Sequence, residues 1–154
     1  MRRTPSQPYA CAMKLLRDRI VVATSAPVEM LDLTALIRQW VAASGVRSGL
    51  LTVMSTHTTA RVTINEREPR LQQDMVEFLQ RLAPSDAIYA HNAETVDDRP
   101  NAHAHLLGLF LNASETIPVA DGRLVMGDWQ SIFFVELDGP RSQRELQLQI
   151  MGVE

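Results

Sequence analysis

Cysteine and lysine are almost absent from this sequence of 154 residues, since each occurs once, as Cys11 and Lys14. A single cysteine excludes an intrachain disulfide, so nothing in the sequence points to an oxidising compartment. Cys11 has no nearby partner residue and lies in a segment rich in proline and small polar residues. We therefore do not expect it to be catalytic.

Long hydrophobic runs are also missing. No stretch of about 18 apolar residues occurs, which argues against a membrane-spanning helix. The N-terminus, MRRTPSQPYACAMK, starts basic but lacks the apolar run of about 7–15 residues that a secretory signal needs. We expect residues 1–11 to be a loosely ordered lead-in and the protein to be cytoplasmic, with no membrane partner.

An excess of positive charge is absent too, because 15 basic residues face 18 acidic ones and the net charge is −3. A nucleic-acid surface needs clustered cations to neutralise phosphates, so no nucleic-acid partner is expected. The sequence also contains neither a serine nucleophile elbow nor a glycine-rich phosphate loop before a helix.

The hydrophobic patterning predicts one α+β domain over residues 12–154. The predicted elements are strand Lys14–Val22, helix Asp32–Ser44, strands Gly49–Ser55 and Thr59–Ile64, a helix between Pro69 and Pro84, a short helix from Ala102 to about Leu111 with an extended alternative, and strands Thr116–Ala120, Arg123–Met126, Gln130–Leu137 and Glu145–Ile150. This order favours an antiparallel or mixed β-sandwich with two main helices packed to one side.

Several local signals refine this picture. Gly45 suits the left-handed stop of the first helix, and Asp121-Gly122 is a strong signal for a tight hairpin. The segment Thr59–Ile64 alternates apolar and polar residues and is predicted to be the hairpin or sheet neighbour of Gly49–Ser55. In the last strand Leu146 and its alternate neighbours are predicted to point inward.

The histidines are concentrated in two polar segments. His91, His103 and His105 lie within HNAETVDDRPNAHAHLLG, and His57 lies in STHTTARVTINE. In a strand His103 and His105 would share a face and could bind one metal, whereas in a helix they point about 200° apart. If Asn101 caps a helix, His105 serves the site and His103 faces solvent.

Two kinds of chemistry remain open for His57, His91 and His105. Three neutral imidazoles with an open coordination position suit a divalent metal, zinc or magnesium, in a hydrolytic or Lewis-acid role. The same three side chains, when protonated, would instead bind an anion, because their ordinary pKa near 6.5 permits either state.

The nearest carboxylates allow several roles. Glu66, beside Asn65, is a candidate general base, an orienting group for a histidine, or a solvated strand end. Asp97 and Asp98 are more typical of loop solvation and turn chemistry.

Two further features stand out in the second half of the chain. The segment 127–130, Gly-Asp-Trp-Gln, is typical either of a β-bulge followed by a core indole or of a site where backbone approaches a ligand. Glu136 lies in an otherwise apolar strand and needs a partner, for which Arg141 and Arg144 are available, whether for structural pairing or for duty in a site.

The motifs HTTARVTINE, YAHN, AHLLG and SETIPVADGRLVMGDWQSIFFVELDGPR together resemble the YjbQ-like family, also called secondary thiamine-phosphate synthase enzymes. The resemblance extends over roughly residues 10–152. It implies a small α+β domain with a β-sandwich that assembles as a homotrimer, with sites near subunit boundaries.

The resemblance also implies a set of site residues. The family's motif positions fall on His57, Asn65, Glu66, His91 and His105, which are the candidate catalytic residues, and the three histidines are the candidate metal ligands. Trp129, Gln130 and Arg141 are the candidate substrate-binding residues. Arg61 and Asp128 depart from the family pattern, which puts the substrate in doubt.

These observations lead to one expectation and two alternatives. We expect a small trimeric enzyme with a histidine-lined site that acts on a phosphorylated or pyrophosphorylated small molecule. The resemblance adds a weak thiamine-phosphate synthase activity, a transfer that joins a pyrimidine pyrophosphate to a thiazole phosphate, as a side reaction. The alternatives are a non-catalytic module that binds a metal or an anion, and a purely structural histidine cluster at a trimer contact.

Overall fold

Two antiparallel sheets packed face to face organise the fold in the computed structural model, which describes residues 12–95 and 98–154. The predictions made for residues 1–11, including Cys11, and for Asp97 lie outside the described residues. The strands are β1 (Lys14–Thr24), β2 (Glu29–Asp32), β3 (Ser48–Ser55), β4 (Ala60–Glu66), β5 (Ser114–Ala120), β6 (Arg123–Leu124), β7 (Gln130–Glu136) and β8 (Arg141–Val153). The helices are α1 (Thr34–Ser44), α2 (Pro69–Leu82) and α3 (Ala102–Leu107), and a single 3₁₀ turn covers Ala90–Asn92. The predicted α+β class and β-sandwich are confirmed.

The larger sheet has the order β1-β8-β3-β5-β6. The inward prediction for β8 is confirmed, because Leu146, Leu148 and Ile150 are at most 2% exposed. They pack on Val62 and Phe134 from the smaller sheet. Alternation along β8 therefore supplies one wall of the core.

The smaller sheet has the order β2-β7-β4 and is covered on both faces. Ile132 and Phe134 of β7 face the larger sheet, while Phe133 and Val135 face a second cluster that contains Leu79 of α2. A strand that is buried on both faces reads as a continuous apolar run. This explains the segment QSIFFVEL, which forms the central strand of the smaller sheet.

Both turn signals behave as predicted. Gly45 ends α1 in the left-handed region with φ of 73°. Asp121 and Gly122 both have positive φ, 52° and 74°, and connect β5 to β6. Two successive positive φ angles are the signature of the tight turn that matches the twist of paired strands. Asp32 lies two residues before α1, and its Oδ1 accepts from the amide of Thr34 at 2.8 Å.

One predicted pairing is wrong. The segment β4 does not pair with β3, because β3 lies between β5 and β8 in the larger sheet while β4 pairs with β7 in the smaller one. The four residues between Ser55 and Ala60 cross from one sheet to the other instead of closing a hairpin. Alternation shows which residues of a strand face inward but does not identify the strand that it pairs with.

The short helix α3 settles the choice between helix and extended chain. It covers Ala102–Leu107 and ends four residues before the predicted Leu111, so the extended alternative is wrong. Among the residues 12–95 and 98–154, no helix combines the length and apolar character required to cross a bilayer.

Candidate functional site

The crossing between β3 and β4 places His57 at the edge where the two sheets meet. Ser55 Oγ donates to the carbonyl of Ala60 at 2.8 Å and closes the base of this crossing. Thr59 is buried within the crossing, whereas His57 is half-buried. The crossing therefore presents the imidazole beside the fold rather than in its core.

A cleft of about 480 Å³ opens at this edge and brings the three predicted histidines together. We call it the histidine cleft, and its lining residues are Thr56, His57, Thr58, Thr59, His91, Arg99, Asn101, His105 and Arg144. Every one of these side chains is polar, and the lining contains two arginines and no carboxylate. The histidine cleft is therefore suited to an anion.

His57 has a defined hydrogen-bonding state. Its Nε2 accepts from the backbone amide of Glu145 at 2.8 Å, so this nitrogen must carry a lone pair and the neutral ring carries its proton on Nδ1. Burial lowers the pKa of His57, and the nearby positive charge of Arg144 lowers it further. His57 is thus prepared to donate from Nδ1 as a neutral imidazole.

His91 is held by a chain of side-chain hydrogen bonds. Its Nε2 lies 3.2 Å from Oδ1 of Asn101, and Nδ2 of Asn101 donates to Oδ2 of Asp138 at 3.1 Å. Since a carboxylate only accepts, Asp138 fixes which end of the Asn101 amide faces His91. The amide oxygen then requires a proton on Nε2 of His91, which leaves Nδ1 of the neutral ring as an acceptor.

His105 stands next to His91. Their ring centroids are 5.3 Å apart with an angle of 79° between the planes, an edge-to-face arrangement. Within residues 12–95 and 98–154 no side chain forms a hydrogen bond with the His105 ring. Its ring nitrogens are thus available for a ligand.

The floor of the histidine cleft is a buried ion pair between the sheets. Nη2 and Nε of Arg144 donate to the two carboxylate oxygens of Glu136 at 2.5 and 2.7 Å. Nη2 also donates to Oγ1 of Thr59 at 3.1 Å, and Thr24 Oγ1 donates to Glu136 at 3.1 Å. Burial alone would raise the pKa of Glu136, but the bonds from Arg144 and from the Asp138 backbone amide outweigh it and lower the pKa. Of the two partners considered for Glu136, Arg144 is the one present.

Arg61, the residue that departs from the family pattern, joins two walls of the histidine cleft. Its Nη1 donates to the carbonyl of His57 at 2.9 Å, and its Nε donates to the carbonyl of Gly108 at 3.0 Å. Gly108 directly follows α3, which carries His105. Arg61 does not line the cleft but connects the His57 segment to this helix.

Asn65 and Glu66 lie far from the histidine cleft within one chain. They occupy the far end of β4, where Glu66 is opposite Gln130, whereas Ala60 at the near end is opposite Glu136. Six residue steps at about 3.4 Å each separate the two ends by roughly 20 Å. Within one chain, neither residue enters the histidine cleft.

Trp129 and Gln130 line a separate pocket of about 360 Å³, together with Arg38, Arg67 and five other residues. Gln130 also closes its own turn, because its Oε1 accepts from the amide of Gly127 at 2.8 Å. Trp129 is 75% exposed, so the interpretation as a core indole is wrong.

Arg141 does not line the histidine cleft. Its Nη2 donates to Asp138 at 2.6 Å and its Nη1 to the carbonyl of Pro140 at 3.0 Å. Its link to the cleft is indirect, since Asp138 is the carboxylate that orients Asn101. Asp128, the other departure from the family pattern, lines the pocket of Trp129.

His103 does not face open solvent as expected. It is half-buried and lines a different pocket, with Pro84 and Leu107, on the other side of α3. Its Nδ1 is buried and has no hydrogen-bond partner among the residues that the structure describes, and burial lowers its pKa. Separation of His103 from His105 across the helix is as predicted.

Sequence reasoning did not assign six of the lining residues to the cleft, although it named Arg144 as a partner for Glu136; the six are Thr56, Thr58, Thr59, Arg99, Asn101 and Arg144. Arg144 had a readable signal, because it occupies the same inward parity of β8 as Leu146 and Leu148. A charged residue at an inward position of an alternating strand requires a buried partner. Arg99 and Asn101 lie inside the histidine-rich segment 91–108 but carry no such pattern.

The described residues fit a metal site poorly. Across residues 12–95 and 98–154, no group of three or more His, Cys, Asp or Glu side chains is placed to hold an ion. Nε2 of His57 is moreover already occupied by the amide of Glu145. Within one chain, the three histidines do not form a metal-binding set.

Comparison with known proteins places the chain among relatives of its own size. A family model described as "UPF0047 protein YjbQ-like" matches residues 18–153. A UPF0047 protein from Methanothermobacter thermautotrophicus is 42% identical over 132 residues, which cover 86% of this chain and 90% of that protein. A crystal structure from Sulfolobus solfataricus, described as a YbjQ-like protein of unknown function, is 40% identical with a TM-score of 0.86 and covers 92% of this chain and 99% of that one. A hypothetical protein from Aeropyrum pernix is 42% identical with a TM-score of 0.83, covering 89% and 98%.

Proposed function

This chain belongs to the UPF0047 YjbQ-like family, and we propose that its histidine cleft binds a phosphorylated or pyrophosphorylated small molecule as the substrate of an enzyme. The observation that carries the proposal is the lining of the cleft, where three imidazoles and two arginines converge without a carboxylate. Guanidinium and imidazole N–H groups are preferred donors to phosphate oxygens. A pyrophosphorylated ligand presents more such oxygens to the cleft than a phosphorylated one.

The hydrogen-bonding state of His57 supports an anion over a metal. Because Nε2 accepts from the Glu145 amide, the neutral ring offers an N–H rather than a lone pair from Nδ1. An N–H donor attracts an oxyanion, whereas a metal ligand must supply a lone pair. The zinc or magnesium ion expected from the sequence stays a prediction, and titration with zinc chloride tests the case of zinc.

The chemistry available in the cleft is proton transfer to or from a phosphate ester. His91 has a fixed N–H toward Asn101 and an acceptor on its other nitrogen, and His105 has no described hydrogen-bond partner. A histidine close to the bridging oxygen of a bound ester can supply the proton that the departing oxygen needs. Thiamine-phosphate synthase activity, a transferase reaction in which pyrophosphate departs, is the specific form of this proposal.

We propose a homotrimer as well. Leu15, Met151, Leu50 and Pro118 stand directly opposite one another across four strands on the outer face of the larger sheet. The first three are 54%, 41% and 44% exposed. A continuous row of exposed apolar side chains is typical of a protein contact surface.

The experiment is calorimetric: inorganic phosphate and pyrophosphate are titrated separately into metal-free protein, and the heat of binding is measured. We expect saturable binding that weakens about tenfold in His57→Gln and in His105→Gln, since each loses an N–H donor to a charged oxygen. The matched control is His103→Gln, which lies in a different pocket and should bind as the wild type does.

Three results would count against the proposal. Absence of binding of both anions, or equal affinity in all three variants, would contradict an anion site in the cleft. A parallel titration with zinc chloride that shows stoichiometric binding, lost in His91→Gln and His105→Gln, would favour the metal-binding alternative instead.

A further inference from the structure

The histidine cleft does not end at His91 and His105. A second depression of about 430 Å³ lies against the same two rings, and its lining residues are Tyr89, Ala90, His91, Ala102, His105 and Leu106. We call it the side groove. Both histidines belong to both depressions, so the pair forms a wall that a ligand would touch from either side.

The two sides of this wall differ in chemistry. On the cleft side every lining residue is polar, whereas on the side groove the residues other than the histidines are alanine, leucine and tyrosine. The Tyr89 hydroxyl donates to the carbonyl of Pro84 at 2.9 Å, so it is already satisfied by backbone. The side groove therefore offers ring and hydrocarbon surface rather than hydrogen-bonding groups.

The helix α3 places part of this apolar surface on the same face as the His105 imidazole. Ala102, His105 and Leu106 are spaced i, i+3 and i+4, which places them on one face of the helix. Leu106 is 40% exposed on that face. An imidazole can donate from its edge to an oxygen while its ring face packs on carbon, so His105, with the His91 ring beside it, suits the junction between a polar and an apolar part of one molecule.

We infer that the ligand is amphipathic: a phosphate monoester whose phosphate lies in the histidine cleft and whose apolar carbon skeleton passes His91 and His105 into the side groove. This inference rests on the proposed function and adds the class of the alcohol portion. Inorganic phosphate would occupy only the cleft, and a phosphate ester of a small polar alcohol would leave the side groove empty.

The test compares inorganic phosphate, methyl phosphate and phenyl phosphate as calorimetric probes of the wild type and two variants. We expect phenyl phosphate to bind about tenfold more tightly than methyl phosphate, which is what burial of roughly 55 Å² of apolar surface provides. In Leu106→Asn this preference should fall to about twofold or less, while the affinity for inorganic phosphate stays unchanged. Leu109→Asn is the matched control, since Leu109 is 78% exposed and lines neither depression.

A second measurement does not depend on any variant. Saturation transfer from the methyl groups of the protein to bound phenyl phosphate should reach the ring protons, and Leu106 methyl resonances should shift with phenyl phosphate but not with inorganic phosphate. Equal affinities for methyl and phenyl phosphate in the wild type would overturn the inference and leave the proposed function standing. If none of the three phosphates binds the wild type, the proposed function is overturned. If Leu106→Asn changes the molecular mass, the side groove is a contact between chains and the inference is overturned.

Discussion

A single backbone amide determines what His57 can do. The N–H of Glu145 points at Nε2, so the ring is held as one tautomer and its pKa is lowered by burial and by Arg144. The positive charge at the histidine cleft therefore comes from Arg99 and Arg144 rather than from this histidine, and each guanidinium faces a carboxylate outside the lining, Asp138 at 4.0 Å and Glu136 respectively. His57, one of the three candidate metal ligands, offers an N–H rather than a lone pair at Nδ1 in this tautomer.

The lowered pKa of His57 makes a prediction about stability and pH. The folded imidazole binds a proton less readily than the unfolded one, whose ordinary pKa is 6.5, so the unfolded state gains more protons as the pH falls below that value. The free energy of unfolding should decrease from about pH 6.5 downward, and His57→Gln should make this decrease shallower. Urea unfolding at a series of pH values measures it.

The control for this prediction is His103→Gln. Burial also lowers the pKa of His103, so this variant should remove a separate share of the same decrease, and the double variant should be the shallowest. A profile for His57→Gln that is parallel to the wild type would show that the imidazole has the same proton affinity in the folded and unfolded states.

At the level of elements, the site depends on how the short segment between β3 and β4 is tied down. Arg61 links the His57 carbonyl to the carbonyl of Gly108 after α3. The guanidinium also fills the space beside Gly108, where an added Cβ would lie only 2.5 Å from Nη2. One side chain thus sets the spacing between the His57 wall and the α3 wall.

Arg61→Met should loosen that spacing while keeping most of the side-chain volume. We expect a loss of about 1–3 kcal/mol in the free energy of unfolding, because three hydrogen bonds from a charged donor are removed. Phosphate affinity should fall as well, although Arg61 does not line the cleft. Chemical unfolding and the phosphate titration measure the two effects.

Arg70→Met is the matched control, since Arg70 lies exposed on α2 and its side chain forms no hydrogen bond within the described part of the chain. It should change neither quantity by more than about 0.5 kcal/mol. Unchanged phosphate binding in Arg61→Met would mean that the two walls keep their spacing without this link.

Features that depend on neighbouring residues, such as turns, could be predicted from the sequence. The pairing of one strand with a distant strand could not. Gly45 and Asp121-Gly122 act through their own backbone angles, so both turns could be read from neighbouring residues. The choice of β7 as the partner of β4 depends on residues about 70 positions away, and alternation carries no information about it. For the site, the histidines were visible in the sequence as a cluster. The only signal for Arg144 was its inward-facing position in the alternating strand β8.

At the scale of the whole molecule, both sheets of the sandwich meet at the site. The core between the sheets is apolar, but at one edge it is replaced by Glu136 of β7 and Arg144 of β8. Their side chains are 0% and 6% exposed. The cleft is therefore a property of the assembled sandwich rather than of either sheet.

The proposed assembly makes its own prediction. Light scattering coupled to gel filtration should give three times the mass of one chain for the wild type. Met151→Lys should reduce the mass to that of one chain, because it places a lysine in the middle of the exposed apolar row on the larger sheet.

Gln149→Lys is the matched control, two residues along the same strand in the adjacent polar row, where it faces Arg17 and Thr52. It should leave the mass unchanged. A wild type that elutes with the mass of one chain would contradict the homotrimer, and a trimeric Met151→Lys would place the contact on another face.

The ion pair that spans β7 and β8 has a consequence for any molecule that binds above it. Arg144 belongs to the larger sheet and is held by Glu136 of the smaller sheet. The histidine cleft is therefore lost when the two sheets separate. Occupancy should thus be coupled to global opening, and bound ligand should slow amide exchange deep in both layers, far from the atoms that it touches.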